Sequence, residues 1–257
     1  MANVSYLFGA GASREAVPLV AEIPSRLLEF IDQLRLPAKA LSDSQPFNYR
    51  RHEHGFPIKM TKRQLQLELI NELNWLHGLL VAQPKLSIDT IAKQLSIKEK
   101  NEDLGRLKKY LSIFLTVEQI IYGRNARYDS FFASIINGTI KDLPRHIKII
   151  SWNYDYQFEL AFNELSEFND LKKNQDFLGV VSKNSSNRQP KKNGFEIFKI
   201  NGTASFIDTA SVLERNDLHI FKKQGHTIEL IEDIVRYYSV IRYSDKLAPL
   251  LSFAWES

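Results

Sequence analysis

The chain has 257 residues, of which 44% are hydrophobic and 25% charged, as expected for an ordinary globular protein that can bury a large core. It contains no cysteine, which excludes disulfides, thiolate nucleophiles and cysteine-based zinc sites. The net charge of +4 rests on short basic clusters, which argues against direct nucleic-acid binding, and the lack of a bilayer-length apolar run or signal-peptide pattern favours a cytoplasmic protein without a membrane partner.

Residues 4–8 form an apolar run that predicts a buried strand, and the small residues 9–13 predict a tight turn after it. Because Gly9 and Gly11 lack a Cβ, a pyrophosphate could approach their main-chain N–H groups, and Ser13 could cap a following helix. The dinucleotide fingerprint G-x-G-x-x-G fails at Arg14. A nucleotide site and a purely structural turn therefore both remain open.

Helical spacing of apolar residues predicts a first helix from about Pro24 to Leu36 and a helical block over residues 62–140. Residues 38–60 are polar and predict a long loop between them. Apolar residues in the block fall on more than one helical face. This pattern predicts a homo-oligomer, with burial inside one large domain as the equal alternative.

Two further strands are predicted at residues 147–152 and 195–200, and each ends in a polar turn. A polar loop, a helix near residues 228–243 and a last strand at residues 250–255 complete the prediction. Ligands of open parallel sheets bind outside the carboxyl ends of the strands. We therefore expect the three polar turns to meet in one crevice, although Asn, Asp and Gly are also common turn formers.

The turns contain three short segments with a recognisable order: Gly9-Ala10-Gly11-Ala12-Ser13, then Trp152-Asn153-Tyr154-Asp155, then Lys199-Ile200-Asn201-Gly202-Thr203. They resemble the nucleotide motifs G-A-G-x-S, T-x-N-Y-D and K-L-H-G-S of the sirtuin-like domains. The resemblance is closest to the divergent branch found in prokaryotic antiphage defence proteins. It extends from Tyr6 to about Trp255, although few positions carry it.

The resemblance implies an α/β fold, a Rossmann-like parallel sheet with a helical insertion between the first and second nucleotide motifs. One sirtuin-like domain would span residues 1–257, with the nucleotide-binding sheet at about 1–36 and 141–257 and the insertion at about 62–140. Many defence members hydrolyse NAD to nicotinamide and ADP-ribose in abortive infection. The implied function is thus NAD cleavage, with a HerA-type ATPase as a candidate partner and no zinc.

Site residues follow from the same resemblance. The glycine segment would line the pyrophosphate, Asn153 would hold a water or the nicotinamide ribose, Asp155 would contact the carboxamide, and Pro18 or Pro24 would lie near the nicotinamide. The implied catalytic residues are Asn153, Asn201 and Asp155. The implied binding residues are Gly9, Ala10, Gly11, Ala12, Ser13, Trp152, Asn153, Asp155, Gly202 and Thr203.

Asn201 stands where the family has its catalytic histidine, and an amide cannot accept a proton near neutral pH. Loss of the cationic nicotinamide can proceed with electrostatic stabilisation and a held water, and Asp155, Glu196 or His219 are candidate substitute bases. The alternative is a weak or inactive NAD- or ADP-ribose-binding module that oligomerises or docks a defence partner.

Two other activities fit the sequence poorly. A protein deacylase of this superfamily would need the zinc cysteines and the histidine. A dehydrogenase would need an acidic residue about 20 positions after the glycine turn, at the end of a second strand. The chain also stops at Ser257, where the family's closing strand would begin, which favours a piece of a longer polypeptide.

Overall fold

The computed structural model describes residues 4–35, 46–49, 58–140, 143–166, 168, 170–183, 194–210, 213–215, 228–244 and 246–256. Their secondary structure, in chain order, is β1 (Val4–Phe8), α1 (Ile23–Arg35), β2 (Pro46–Tyr49), β3 (Ile58–Thr61), α2 (Lys62–Val81), α3 (Ile88–Ile97), α4 (Asn101–Tyr122), α5 (Ala126–Ile135), β4 (Ile147–Ser151), α6 (Gln157–Leu165), α7 (Leu171–Leu178), β5 (Val180–Ser182), β6 (Glu196–Lys199), β7 (Phe206–Asp208), β8 (Leu213–Arg215), α8 (Ile228–Tyr243) and β9 (Leu247–Pro249).

The protein is an α/β protein built on a four-stranded sheet in the order β1-β4-β6-β5, with every pair parallel. This arrangement is compatible with a Rossmann-like fold. Because the strands are parallel, their carboxyl ends all lie at one edge of the sheet. Two small antiparallel sheets, β2-β3 and β8-β7-β9, lie outside it.

The two faces of the parallel sheet differ in their cover. On one face, α5, α6 and α7 bury Ile149 and Ile197 completely in an aromatic-rich core. On the other face, the register aligns Leu7, Ile150 and Phe198 in one row, and none of the three is fully buried. The expectation that β1 is a buried strand is wrong. Leu7 is 67% exposed, because β1 pairs only with β4 among the described strands.

A second core joins α1, α2, α3, α4 and α8. In α4, residues 110–120 are buried on all sides, so Ile113 and Phe114, which point in different directions, are both completely covered by other parts of the same chain. Packing within the chain therefore accounts for the burial of these residues. The homo-oligomer stays a prediction. Among the helices that the structure describes, none combines the length and the apolar character needed to span a bilayer.

Three local predictions differ from the structure. The segment predicted as a loop at residues 38–60 includes the β2-β3 hairpin, and α7 and β5 were not predicted. The α7 helix is mostly polar, and its only clear signals are the Asp170 N-cap and Gly179, which ends it in a left-handed conformation. The strand predicted at residues 250–255 is wrong, because Leu250 and Ser252 donate single backbone bonds to Ser205 and Asn201 instead of joining a ladder.

Glu118 on α4 forms a buried ion pair with Arg26 on α1, with 2.5 Å between Oε2 and Nη2. Burial raises the Glu118 pKa to about 7, although Arg26 opposes that rise. Between the ordinary glutamate pKa of 4.5 and pH 7, the folded state therefore holds a proton that the unfolded chain has released. The free energy of unfolding should fall as pH rises through this window, by about 1–3 kcal/mol.

Denaturant unfolding at intervals from pH 4.5 to pH 7.5 measures this slope. Glu118→Gln should flatten it, whereas Glu102→Gln, on the exposed first turn of the same helix, should leave it unchanged. An unaltered slope in Glu118→Gln would assign the pH dependence to other groups.

Candidate functional site

A cavity of about 200 Å³ opens at the carboxyl ends of the parallel strands. Residues from all three predicted segments line it, so the structure brings together parts of the chain that lie more than a hundred residues apart. The predicted site residues on its wall are Gly9, Ala10, Ser13, Trp152, Asn153, Asp155 and Asn201, and Pro18 joins them.

Other predicted residues do not line the cavity: Gly11, Ala12, Pro24, Gly202 and Thr203. Gly202 serves the fold instead, because its φ is +76° and a Cβ there would lie 2.0 Å from the Leu250 carbonyl oxygen. The Thr203 hydroxyl is buried and shares a 2.7 Å hydrogen bond with Ser205. The glycine and threonine of the third segment are thus explained by local packing.

The glycine turn differs from a helix-capping turn. Residues 10–12 form a single 3-10 turn, and α1 begins only at Ile23, so Ser13 caps no helix. The N–H groups of Ala10 and Gly11 start the turn and have no partner within it. A Cβ built on Gly9 or Gly11 would meet open space, so packing alone does not require glycine at either position. The Arg127 guanidinium also lies here and donates to the Gly11 carbonyl at 2.6 Å.

A hydrogen-bonded network joins the first two segments. The Asn153 amide Nδ2 donates to the Ser13 hydroxyl at 2.9 Å and to the Gly9 carbonyl at 3.1 Å. Tyr128 from α5 is fully buried and places its hydroxyl 2.6 Å from the Ser13 Oγ. Since Nδ2 is committed to the protein, the Asn153 Oδ1 is the amide atom left to accept a hydrogen bond from a ligand.

Asp155 is 3% exposed and has one partnered and one unpartnered carboxylate oxygen. Its Oδ1 accepts the Gln157 backbone N–H at 3.1 Å, whereas Oδ2 has no hydrogen-bond partner in the described part of the chain. Burial raises the Asp155 pKa, and the Lys199 ammonium and the Ser13 hydroxyl oppose that rise. A buried carboxyl oxygen without a partner is costly, which marks Asp155 as a candidate functional residue of the cavity wall.

A buried ion pair supports the second segment. The Lys199 Nζ donates to the Glu159 Oε1 and to the Asp155 backbone carbonyl, both at 2.6 Å, and the Lys199 and Glu159 side chains are at most 1% exposed. Burial raises the Glu159 pKa, and Lys199 opposes this effect. Lys199, which does not line the cavity, therefore fixes the backbone that carries Asp155.

The asparagine that stands in place of the family histidine is also held in place by a hydrogen bond. The Asn201 Nδ2 donates to the Trp152 carbonyl at 3.0 Å. Of the candidate substitute bases, Asp155 lines the cavity, Glu196 is instead paired with Lys148 at 2.5 Å, and His219 lies outside the described residues. The lining residues that the structure describes include no histidine, so Asp155 is the one of the three candidate bases that lies on the cavity wall.

The helical region contributes a wall that sequence reasoning missed: Ile88 and Asp89 of α3 and Leu111 and Leu115 of α4 line the cavity. Helical spacing marks three of these as core residues, but nothing in the sequence says which cavity they face. Tyr128 had no sequence signal beyond its place in a predicted helix.

No protein-family model, curated protein or solved structure matches this chain. Within the described ranges there is also no group of three or more acidic or histidine side chains that could hold a metal ion. The geometry of this cavity and the resemblance of the three segments are therefore the two observations that bear on function.

Proposed function

We propose that the chain binds NAD with its nicotinamide end in this cavity and hydrolyses the bond between nicotinamide and ribose. The observation that carries the proposal is the convergence of Ser13, Asn153, Asp155 and Asn201 on one cavity wall, together with an Asp155 Oδ2 that is buried without a hydrogen-bond partner among the described residues. Polar groups that converge in an apolar pocket at the strand ends of a parallel sheet are the usual setting of a ligand site.

The cavity size favours one end of the ligand. At about 200 Å³ it is smaller than the roughly 300–1,000 Å³ of sites that enclose a drug-sized molecule. It suits a pyridine ring and part of a ribose, with the pyrophosphate outside at the glycine turn. There the N–H groups of Ala10 and Gly11, which have no partner within the 3-10 turn, and the cationic Arg127 are suited to phosphate oxygens.

The proposed reaction needs few groups. The bond between the ribose C1′ and the pyridine nitrogen breaks, and both electrons leave with neutral nicotinamide. A water molecule held by the Asn153 Oδ1 forms the new bond to C1′, and its proton passes to the ionised Asp155 and then to solvent. The products are nicotinamide, ADP-ribose and a proton, and Asp155 takes the role that the family gives to histidine.

Asn201 favours a second candidate function, a module that holds NAD or ADP-ribose without turnover. In either case the resemblance suggests a prokaryotic antiphage role in which α2 to α5 correspond to the family's helical insertion. Oligomerisation and a HerA-type partner belong to the same proposal.

Nicotinamide release from NAD by the full chain separates the two functions. For the hydrolase we expect release by the wild-type chain and a loss of at least about 100-fold in Asn153→Ala, because the water and Ser13 lose their positioning. Asn74→Ala, the same change in α2 far from the cavity, should keep the wild-type rate. Tight NAD binding without release would support the binding module, and no binding would contradict both.

A further inference from the structure

The cavity wall is rich in acceptors and negative charge. Asp89 and Asp155 both line it, and none of the described lining residues has a cationic side chain. The Asn153 Nδ2 donates to two protein oxygens, and the Asn201 Nδ2 donates to the Trp152 carbonyl, so the amide oxygens of both are the acceptors that they offer to a ligand. A phosphate would find no cationic partner on this wall, whereas a positively charged group would find two carboxyl groups.

Asp89 is the more accessible of the two carboxyl groups, because it is half-buried and Asp155 is buried. It lies in the first turn of α3, directly after the Ser87 N-cap, and a helix N-terminus stabilises a carboxylate. Its backbone carbonyl accepts the Trp255 indole N–H at 3.1 Å, and its Oδ1 lies 3.5 Å from the Ala254 nitrogen. The α3 backbone and residues 254–255 therefore hold this carboxylate at the cavity.

The remaining wall strengthens the effect of that charge. Trp152 and Tyr154 contribute aromatic rings, and Leu111 and Leu115 contribute apolar surface. Aromatic faces attract cations, and an apolar surrounding weakens dielectric screening. The unpartnered Asp155 Oδ2 is a second, independent sign that a ligand group with a donor or a positive charge belongs here.

We infer that the cavity selects a cationic aromatic ring, the oxidised pyridinium rather than a neutral ring of the same shape, and that Asp89 is the residue that determines this selectivity. The inference rests on the proposed function, since it assumes that a pyridine ring occupies the cavity. It goes beyond that function by assigning charge recognition to α3, which none of the three nucleotide segments contains.

Two probes of nearly equal shape, one cationic and one neutral, separate the effect of ring charge on binding from the effect of ring shape. The cation 1-methylnicotinamide and the neutral 3-methylbenzamide differ in one ring atom, and calorimetric titration of the full chain measures both, together with NAD and NADH. We expect the cation to bind at least about tenfold more tightly than its neutral counterpart. In Asp89→Asn, which keeps the side-chain shape, the preference should fall below about threefold.

Asp103→Asn is the matched control, because Asp103 also lies in the first turn of a helix but does not line the cavity. It should keep the wild-type preference. Equal binding of the two probes, or an unchanged preference in Asp89→Asn, would overturn the inference. If NAD is cleaved while the probes bind equally, the proposed function stands and the charge selectivity fails. Selectivity for the cation without NAD cleavage would support the inference and contradict hydrolysis, and binding of none of the four compounds would contradict both.

Discussion

Replacing Lys199 with methionine is expected to lower the free energy of unfolding by about 3–5 kcal/mol. The change leaves Glu159 as a buried carboxylate without its cation and removes the hydrogen bond to the Asp155 carbonyl. Methionine has a similar length, so the loss reports mainly on charge and hydrogen bonding. Urea unfolding followed by circular dichroism measures the difference.

Two control variants test whether the loss of stability comes from the buried charge. Arg35→Met breaks an exposed pair with Asp32 and should cost less than about 1 kcal/mol. The double variant Lys199→Met/Glu159→Gln should recover part of the loss, because it removes the uncompensated charge. A Lys199→Met variant as stable as Arg35→Met would show that the Lys199 ammonium is not needed to hold this region.

Asp155→Asn is expected to lower the rate of nicotinamide release by about 10²- to 10⁴-fold, the usual cost of losing a general base. The amide keeps the shape and the acceptor for the Gln157 N–H, but it cannot take a proton. Because burial raises the Asp155 pKa above its ordinary value of 3.8, the wild-type rate should rise with pH as this carboxyl ionises. The rate of Asp155→Asn should lack that rise.

Rates across a pH series, with NAD affinity measured in parallel, separate catalysis from binding. Asp32→Asn changes an exposed carboxylate on α1 and should reproduce the wild-type profile. An Asp155→Asn variant that keeps the wild-type rate and pH profile would exclude Asp155 as the base.

The meeting of the three segments was predictable because it follows from topology. Once Asn153 and Asn201 are placed after parallel strands, the common edge of the sheet brings them close to the turn at Gly9. No knowledge of side-chain packing is needed for that step. The α/β class was expected from the resemblance of the three segments, and the parallel sheet with its helices confirms it.

The helical wall could not be predicted in the same way. Periodicity marks Leu111 and Leu115 as buried, but it does not say whether they face another helix or a ligand cavity. Tyr128 and Asp89 join the site only because α5 and α3 pack beside the sheet edge. Such contacts are decided by tertiary packing, which leaves no local trace in a single sequence.

Gly202 shows how a fold can preserve part of a sequence motif for reasons unrelated to a ligand. Any side chain at this position would collide with the Leu250 carbonyl, so a descendant that bound no ligand would still retain the glycine. Gly9 has no such constraint, and its replacement during evolution would be tolerated by the backbone as soon as selection for a ligand ended. Among relatives of this chain, an intact Gly202 would therefore mark common ancestry, and an intact Gly9 would mark a site still in use.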